Sequence, residues 1–281
     1  MTTLKADLHA HTTCSDGELA PIDLAHLARR RGLDVLSICD HDTTAAYAQL
    51  DLQALPSGLT IVPGVEISVW LAGGEVHMLG LGVDPQHPRL TQALTNRVEA
   101  RRRRMTRMLE KLFALGQFAE LDTTGREELV RRLTRVDPET GTRRSSSAGS
   151  ADSAGSRFAP GPPPSPCRLP LAAAMINHGV VEISRFEAAE AAEIVREAGG
   201  VAVLAHPALY RSRKQDRMIA TIEAAAEIGL DGVEIHHPKQ DRPTTAEIVE
   251  AADRVGLTLR TGGSDFHNHA SRYSTRMGKS Y

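Results

Sequence analysis

Aromatic residues are scarce in this chain, at 4% of 281 residues, although 41% are hydrophobic. The core must therefore be built mainly from Ala, Leu, Val and Ile, in one large α/β domain or a domain with an insertion. Cysteine is scarce as well: Cys14, Cys39 and Cys167 form no C-x-x-C pair and leave one over in any disulfide scheme. That excludes a disulfide scaffold and points to a reducing, cytoplasmic compartment. No 18 apolar residues run consecutively, and "MTTLKADLHAH" lacks a signal-peptide stretch, so no membrane partner is expected. Neither sign of charge dominates, with 33 Lys and Arg against 35 Asp and Glu, which argues against stable binding of duplex nucleic acid through overall charge. A phosphate-cradling P-loop is missing too, so transfer from ATP through such a loop is not suggested.

What is present is an alternation of strand and helix signals. "KADLHAH", "LDVLSICDHD", "LTIVPGVEISVWL" and "GGEVHMLGLGVD" read as strands, with the helix "APIDLAHLARRRG" after the first. Strand, helix, strand in this rhythm argues for parallel pairing. From about residue 87 the character changes, and "LTQALTNRVEARRRRMTRMLEKLFALG" reads as one long helix, with Val98, Met105, Leu109 and Leu112 at helical spacing. Arg97, Arg101 and Arg104 share another face, usually a solvated one and alternatively a face for anions. Residues 137–167 are dominated by Ser, Pro and Gly and read as a disordered linker. Strands then return as "VAVLAHP", "LDGVEIHHP" and "LTLRTGGSDFHN", alternating with helices. About seven strands around a helical insertion predict a small (β/α) barrel: residues 1–86 its first part, 87–185 the insertion, and 186–281 its second part.

On this map the unusual residues share one address. His9 and His11 lie on one face of the first strand, because side chains alternate with period two. Asp40, His41 and Asp42 end the second strand, Glu66 sits late in the third, and His77 lies in the next. His206 ends "VAVLAHP", and Asp265 and His267 end "GGSDFH". In a (β/α) barrel such strand ends converge on the face that carries the chemistry. Taken singly, each histidine is more often a hydrogen-bonded structural group than a ligand; jointly, their placement in six segments favours a site. Imidazole and carboxylate without thiolate suit Zn²⁺, Mn²⁺ or Fe²⁺. Six histidines with the carboxylates among them exceed the needs of one ion, so two or three ions sharing a bridging carboxylate are expected, as in phosphoryl-transfer sites. Cys14 and Cys39 are expected to pack as small apolar residues.

The stretches "DLHAHTTCSDGEL", "CDHD", "PGVEIS", "VHMLGLG", "VLAHP" and "GGSDFH", in this order, resemble the PHP (polymerase and histidinol phosphatase) family of metal-dependent phosphoesterases. The resemblance covers residues 4–86 and about 185–270. It is nearest to the branch with a helical insertion after the fourth strand, which includes 3',5'-nucleotide bisphosphate phosphatases and 5'-3' exoribonucleases. That implies a distorted (β/α)7 barrel and a site for two or three divalent ions, Mn²⁺ or Zn²⁺, with Fe²⁺ and Mg²⁺ as alternatives. The resemblance places His9, His11, Glu66 and Asp265 on the first ion. It places Asp16, His41 and His267 on the second, and Glu66, His77 and His206 on the third. It sets Asp42 beside the substrate phosphate, as the group that orients the nucleophile or handles a proton, and Arg101, Arg102, Arg103 and Arg168 against the substrate. Pro170 stands where the family usually has a histidine. The implied activity is hydrolysis of nucleotide phosphate monoesters, a 3',5'-bisphosphonucleotide or AMP. Alternatives are a 5'-3' exonuclease on short RNA or single-stranded DNA, and a copy that binds metal or nucleotide without turnover.

Overall fold

The computed structural model describes residues 4–116, 118, 121–134, 185–210, 217–269 and 277. The expected linker at 137–167, Arg168, Cys167 and Pro170 lie outside them. The described residues divide into two compact units, 4–98 with 185–277 and 99–134.

The first unit is a barrel. Its strands are β1 (Ala6–Ala10), β2 (Val35–Ile38), β3 (Thr60–Leu71), β4 (Gly74–Leu81), β5 (Val201–Leu204), β6 (Gly232–His236) and β7 (Leu259–Gly262), hydrogen-bonded in that order. The ring closes where Ala10 bridges Phe266, with the Asp265 N–H donating to the His9 carbonyl at 2.8 Å and the His11 N–H to the Phe266 carbonyl at 2.9 Å. Helices α1 (Pro21–Arg30), α2 (Ala45–Gln49), α3 (Pro88–Ala114), α5 (Ala188–Glu197), α6 (Met218–Glu227) and α7 (Arg242–Val255) connect the strands, while α4 (Thr123–Thr134) belongs to the second unit. The distorted (β/α)7 barrel expected from the sequence is thus observed.

Local chemistry sets these elements. In α1, Pro21 opens the helix, Asp23 sits in its first turn and Arg29 and Arg30 in its last, which matches the helix dipole; Leu24, Leu27 and Ala28 make the buried stripe. In α7, the Asp241 carboxylate accepts from the Thr244 N–H at 2.9 Å, and Gly256 ends the helix in the left-handed region.

The parallel rhythm is interrupted at β4, which runs antiparallel to both β3 and β5. The reason is local. Leu71 pairs with Gly74, so only Ala72 and Gly73 make the turn, and both have positive φ, at 49° and 76°. A two-residue turn with positive φ at both positions makes a tight hairpin, whereas a parallel crossover needs a dozen residues. Arg217 braces it, donating to the Leu71 and Ala72 carbonyls at 3.0 Å each. Because β4 is reversed, its beginning lies beside the later part of β3, and Ser68 pairs with His77.

The core has the composition expected. Val65, Ile67 and Met78 pack outward against Ala191, Ala192 and Val195 of α5. On the opposite face of β4, Leu79 and Leu81 pack with Cys39, Val203 and Ala205 inside the barrel. Phe266 is the one aromatic among the largest fully buried side chains described.

Cys14 and Cys39 are both buried, and burial pushes their thiols up to about 11 and about 12. A thiol raised so far is neutral at pH 8 and is a poor nucleophile. Iodoacetamide at pH 8 is therefore expected to leave both unmodified in the native protein and to alkylate both in guanidinium, as read by peptide mass mapping; rapid native alkylation of either would contradict this packing.

Candidate metal centre

At one end of the barrel the ladder gives way to short loops, and the loops carry the polar residues. After β1 the chain turns back on itself: the Ser15 and Gly17 N–H groups both donate to the Thr12 carbonyl, at 3.0 and 2.9 Å. A Cβ at Gly17 would stand 2.5 Å from the His11 carbonyl carbon and oxygen, so only glycine lets the turn close. The turn brings Asp16 back to His11, with Oδ1 3.8 Å from Nδ1. After β7, a Cβ at Gly263 would fall 2.2 Å from the Cβ of His9, so close approach of the two closing segments again requires glycine.

All nine residues expected as ligands converge. Four overlapping groups have ligand atoms within 4.8 Å of one another: His11, Asp16, His41 and His267; His9, Glu66 and His206; His9, His11 and Asp265; and His41, Glu66 and His77. Glu66 sits at the middle, with no exposed surface. Its Oε2 lies 3.4 Å from His9 Nε2, 3.3 Å from His11 Nε2 and 2.9 Å from His41 Nδ1. Its Oε1 lies 2.8 Å from His77 Nδ1 and 2.9 Å from His206 Nε2. Asp265 Oδ1 is 3.3 Å from His11 Nε2 and 3.5 Å from His267 Nδ1, and Asp16 Oδ1 is 3.2 Å from His267 Nε2.

These side chains suit divalent ions on two grounds. Donors at about 2.1 Å from one ion stand about 3.0–3.4 Å apart in octahedral or tetrahedral geometry, and four of these eight separations fall in that range. Further, His9 Nε2, His11 Nε2, His41 Nδ1, His77 Nδ1, His206 Nδ1 and Glu66 Oε2 are buried without a hydrogen-bond partner. Buried polar atoms are otherwise nearly always satisfied.

The electrostatics of the cluster follow from burial and opposed charge. Burial works against ionisation of Glu66, but His41, His77 and His9 outweigh it and hold the carboxyl well below its ordinary value. Burial also pulls the His41 imidazolium down, yet Glu66 and Asp16 lift its pKa to about 9. For His11, burial and the neighbouring His267 prevail and lower it to about 4. One pocket thus splits its imidazoles into proton-holding and proton-shedding members.

Other polar residues hold the site in place. Asp40, at the end of β2, is not among the clustered ligands: its carboxylate accepts from the Thr12 N–H at 2.8 Å, the Thr12 hydroxyl at 2.6 Å and the Ser15 hydroxyl at 2.6 Å, tying down the turn that carries His11 and Asp16. Asp42 is also outside the clusters. It is buried, accepts from the Ser68 N–H at 3.0 Å through Oδ1, and donates its own N–H to the Glu66 carbonyl at 2.8 Å. Three of the five described non-glycine residues with positive φ lie here: Asp42, His206 and Asp265, at 52°, 29° and 48°. Such backbone is strained and tends to collect at functional sites.

Several supporting residues escaped the sequence reading. The Tyr210 hydroxyl accepts from the His77 N–H at 2.7 Å and donates to the Ala205 carbonyl at 3.2 Å. His237 is buried, with Nε2 3.1 Å from Asp265 Oδ2. Glu234, on β6, is fully buried beside His9; its only sequence signal is a carboxylate inside the apolar run "GVEI". Arg97 lies over the Phe186 ring at 6.0 Å and near Glu75 at 3.8 Å, a structural role. In the second unit, Arg101, Arg102 and Arg103 share α3, and Arg103 pairs with Glu99 at 3.3 Å.

No family model matches the chain. Its relatives decide the matter. Over 279 residues, 94% of this chain and 90% of the relative, it is 30% identical to a 5'-3' exoribonuclease of Haemophilus influenzae. It is also 30% identical to a phosphoribosyl 1,2-cyclic phosphate 1,2-diphosphodiesterase of Eggerthella lenta, with 95% of each covered. A putative metal-dependent phosphoesterase of Bifidobacterium adolescentis superimposes with a TM-score of 0.65 at 26% identity, over 96% of this chain and 90% of that one. The chain belongs to the PHP family of metal-dependent phosphoesterases. Like its PHP relatives it is a hydrolase of phosphoester bonds that uses divalent metal. Among the described residues of this PHP barrel, no helix is long and apolar enough to cross a membrane.

The tether at Asp40 can be tested by itself. Asp40→Ala leaves two hydroxyls and one N–H without their acceptor, at about 1–3 kcal/mol for each buried group that water cannot reach. A fall in melting temperature of at least about 5 °C is expected. Asp51→Ala, which removes an exposed acceptor from the Gln53 N–H, is expected to cost no more than about 1 kcal/mol. Equal melting temperatures for the two would count against the tether.

Proposed function

We propose that this protein hydrolyses phosphate monoesters of nucleotides, with a 3',5'-bisphosphonucleotide as the preferred class, at a centre of two or three Mn²⁺ or Zn²⁺ ions. The convergence of five imidazoles on the two oxygens of Glu66 carries the reading. In this proposal His9, His11, Glu66 and Asp265 hold one ion, Asp16, His41 and His267 a second, and Glu66, His77 and His206 a third, with Glu66 as the bridge. Divalent ions bound there supply Lewis acidity toward phosphoryl oxygens and lower the pKa of water toward neutrality.

The chain's own residues contribute position and proton handling. Glu66 presents one oxygen to each side of the cluster, so its orientation fixes the spacing between neighbouring groups. Asp42, pinned through its N–H to the Glu66 carbonyl, is proposed to orient the attacking nucleophile or take up a proton beside the substrate phosphate. Arg101, Arg102 and Arg103 are proposed to neutralise substrate phosphates; their sequence clustering on α3 supports this. Arg168 is proposed for the same task on the family resemblance alone.

The substrate class draws on a further relative, a 3',5'-nucleoside bisphosphate phosphatase of Chromobacterium violaceum, 29% identical over 93% of this chain and 86% of the relative. The exoribonuclease name of the Haemophilus relative favours a second reading, removal of nucleotides from the 5' end of short RNA.

Phosphate release from a 3',5'-bisphosphonucleotide and from 5'-AMP, beside cleavage of a labelled short RNA, separates these readings. Activity is expected with Mn²⁺ and not in EDTA; equal rates in both would refute the metal centre. Glu66→Gln should lower metal content by more than one ion per chain, read by elemental mass spectrometry, and activity by at least about 100-fold, since several kcal/mol of charge stabilisation is lost. Unchanged metal content would overturn the bridging role.

A further inference from the structure

Glu234 lies at the middle of β6 and is fully buried. Its two oxygens stand 3.3 and 3.4 Å from His9 Nδ1, and Oε2 accepts a 2.8 Å hydrogen bond from the His206 backbone N–H. These partners come from different parts of the barrel. His206 follows β5, the strand paired with β6, whereas His9 is on β1, beyond β7 and 225 residues away. One carboxylate therefore joins two residues that, on the reading above, serve different ions.

Each contact has a chemical consequence. An imidazole binds a cation only through a nitrogen without a proton, and the group at its other nitrogen decides which one that is. A carboxylate offers acceptors only, so a neutral His9, the form that can bind a cation, must place its one proton on Nδ1 to satisfy Glu234. That leaves Nε2 bare, and Nε2 is the atom that faces Glu66 at 3.4 Å and Asp265 at 3.7 Å without a hydrogen-bond partner. At His206 the carboxylate holds a backbone N–H whose residue has a φ of 29°, a conformation that needs outside support.

We propose that Glu234 is a positioning residue that fixes the His9 tautomer and the His206 backbone together, and so couples occupancy of two neighbouring ion sites. The proposal rests on the metal-centre reading above.

Two substitutions separate its two tasks. Glu234→Gln keeps the volume and one carbonyl acceptor, which can stay on the His206 N–H. Its amide N–H₂ then takes the place of Oε1 beside His9 Nδ1 and leaves only the carbonyl oxygen, 3.4 Å away and shared with the His206 N–H, as acceptor; the Nδ1 proton is held less firmly and the tautomer that closes Nε2 becomes accessible. Glu234→Ala removes both contacts. Mn²⁺ affinity by calorimetry and ion content by elemental mass spectrometry, measured on the full chain, are expected to show weakening of about 10- to 100-fold for Gln. That loss is expected for one ion in Gln and for more than one in Ala. Glu234→Asp, which keeps a charged acceptor, should recover part of the affinity. The Co²⁺-loaded Gln variant should also show a changed visible absorption spectrum.

A residue that merely braces strands would lower the melting temperature in EDTA yet leave metal affinity and the Co²⁺ spectrum of the folded protein at wild-type values; that result overturns the proposal. Should the variants not fold, ring-nitrogen NMR of the Zn²⁺-loaded wild type still decides: a proton on His9 Nδ1 is expected, and a proton on Nε2 refutes it. Glu66→Gln run in parallel keeps the two failures apart. If it loses metal while Glu234→Gln does not, only the role of Glu234 falls; if neither loses metal, the metal-centre reading falls.

Discussion

A single buried carboxylate sets the terms for this structure. Glu66 has no contact with solvent, and each of its oxygens is shared among imidazoles from other strands and loops. Taking a carboxylate into low dielectric costs several kcal/mol unless positive charge meets it with good geometry. Protonated histidines can supply that charge only by crowding together. His11, driven down to about 4 by burial and its neighbour His267, shows that they cannot all carry it at once. Divalent cations offer the same compensation in a smaller volume, with every imidazole neutral. Ions would thus relieve the crowding that protons impose, and the unpartnered atoms around Glu66 point to where the charge is needed.

The reversed strand β4 follows from the same constraint. A barrel of parallel strands presents only strand ends to its active face, and a side chain in the middle of β3, such as Glu66, would face a neighbour's interior. With β4 antiparallel, the start of one strand lies beside the later half of the other, so His77 shares a face with Glu66. The tight Ala72–Gly73 turn thus brings His77 within 2.8 Å of Glu66 Oε1. Below these residues the same face of β4 turns apolar at Leu79 and Leu81, which pack with Cys39, Val203 and Ala205.

What the sequence made legible, and what it did not, divides along physical lines. The nine clustered residues could be found because metal ligation demands particular side-chain types, and strand ends are visible as the close of β-periodic runs. The antiparallel placement of β4 was written in the short Ala72–Gly73 turn but masked by the strand-helix rhythm on either side. Asp40 looked like its neighbours His41 and Asp42, since nothing in "CDHD" reveals that its carboxylate is fully engaged by Thr12 and Ser15. Glu234 and Tyr210 depend on partners 225 and 133 residues away. No local pattern encodes such a pair, because the contact exists only once the strands are in register.

Stability and function draw on different parts of this barrel. Asp42, His206 and Asp265 each hold positive φ, at about 1–3 kcal/mol apiece, and six polar atoms beside them lack partners. The site therefore opposes folding in the absence of ligand. What offsets it lies elsewhere: the aliphatic layer between β3, β4 and α5, and the hydroxyl and carboxylate ties of Asp40 and Tyr210. Cations that bind only the folded chain add stability in proportion to the logarithm of their concentration. It follows that metal should stabilise the barrel most strongly where local geometry is least favourable, at the loops after β1, β5 and β7, while the aliphatic layer against α5 holds its structure with or without it.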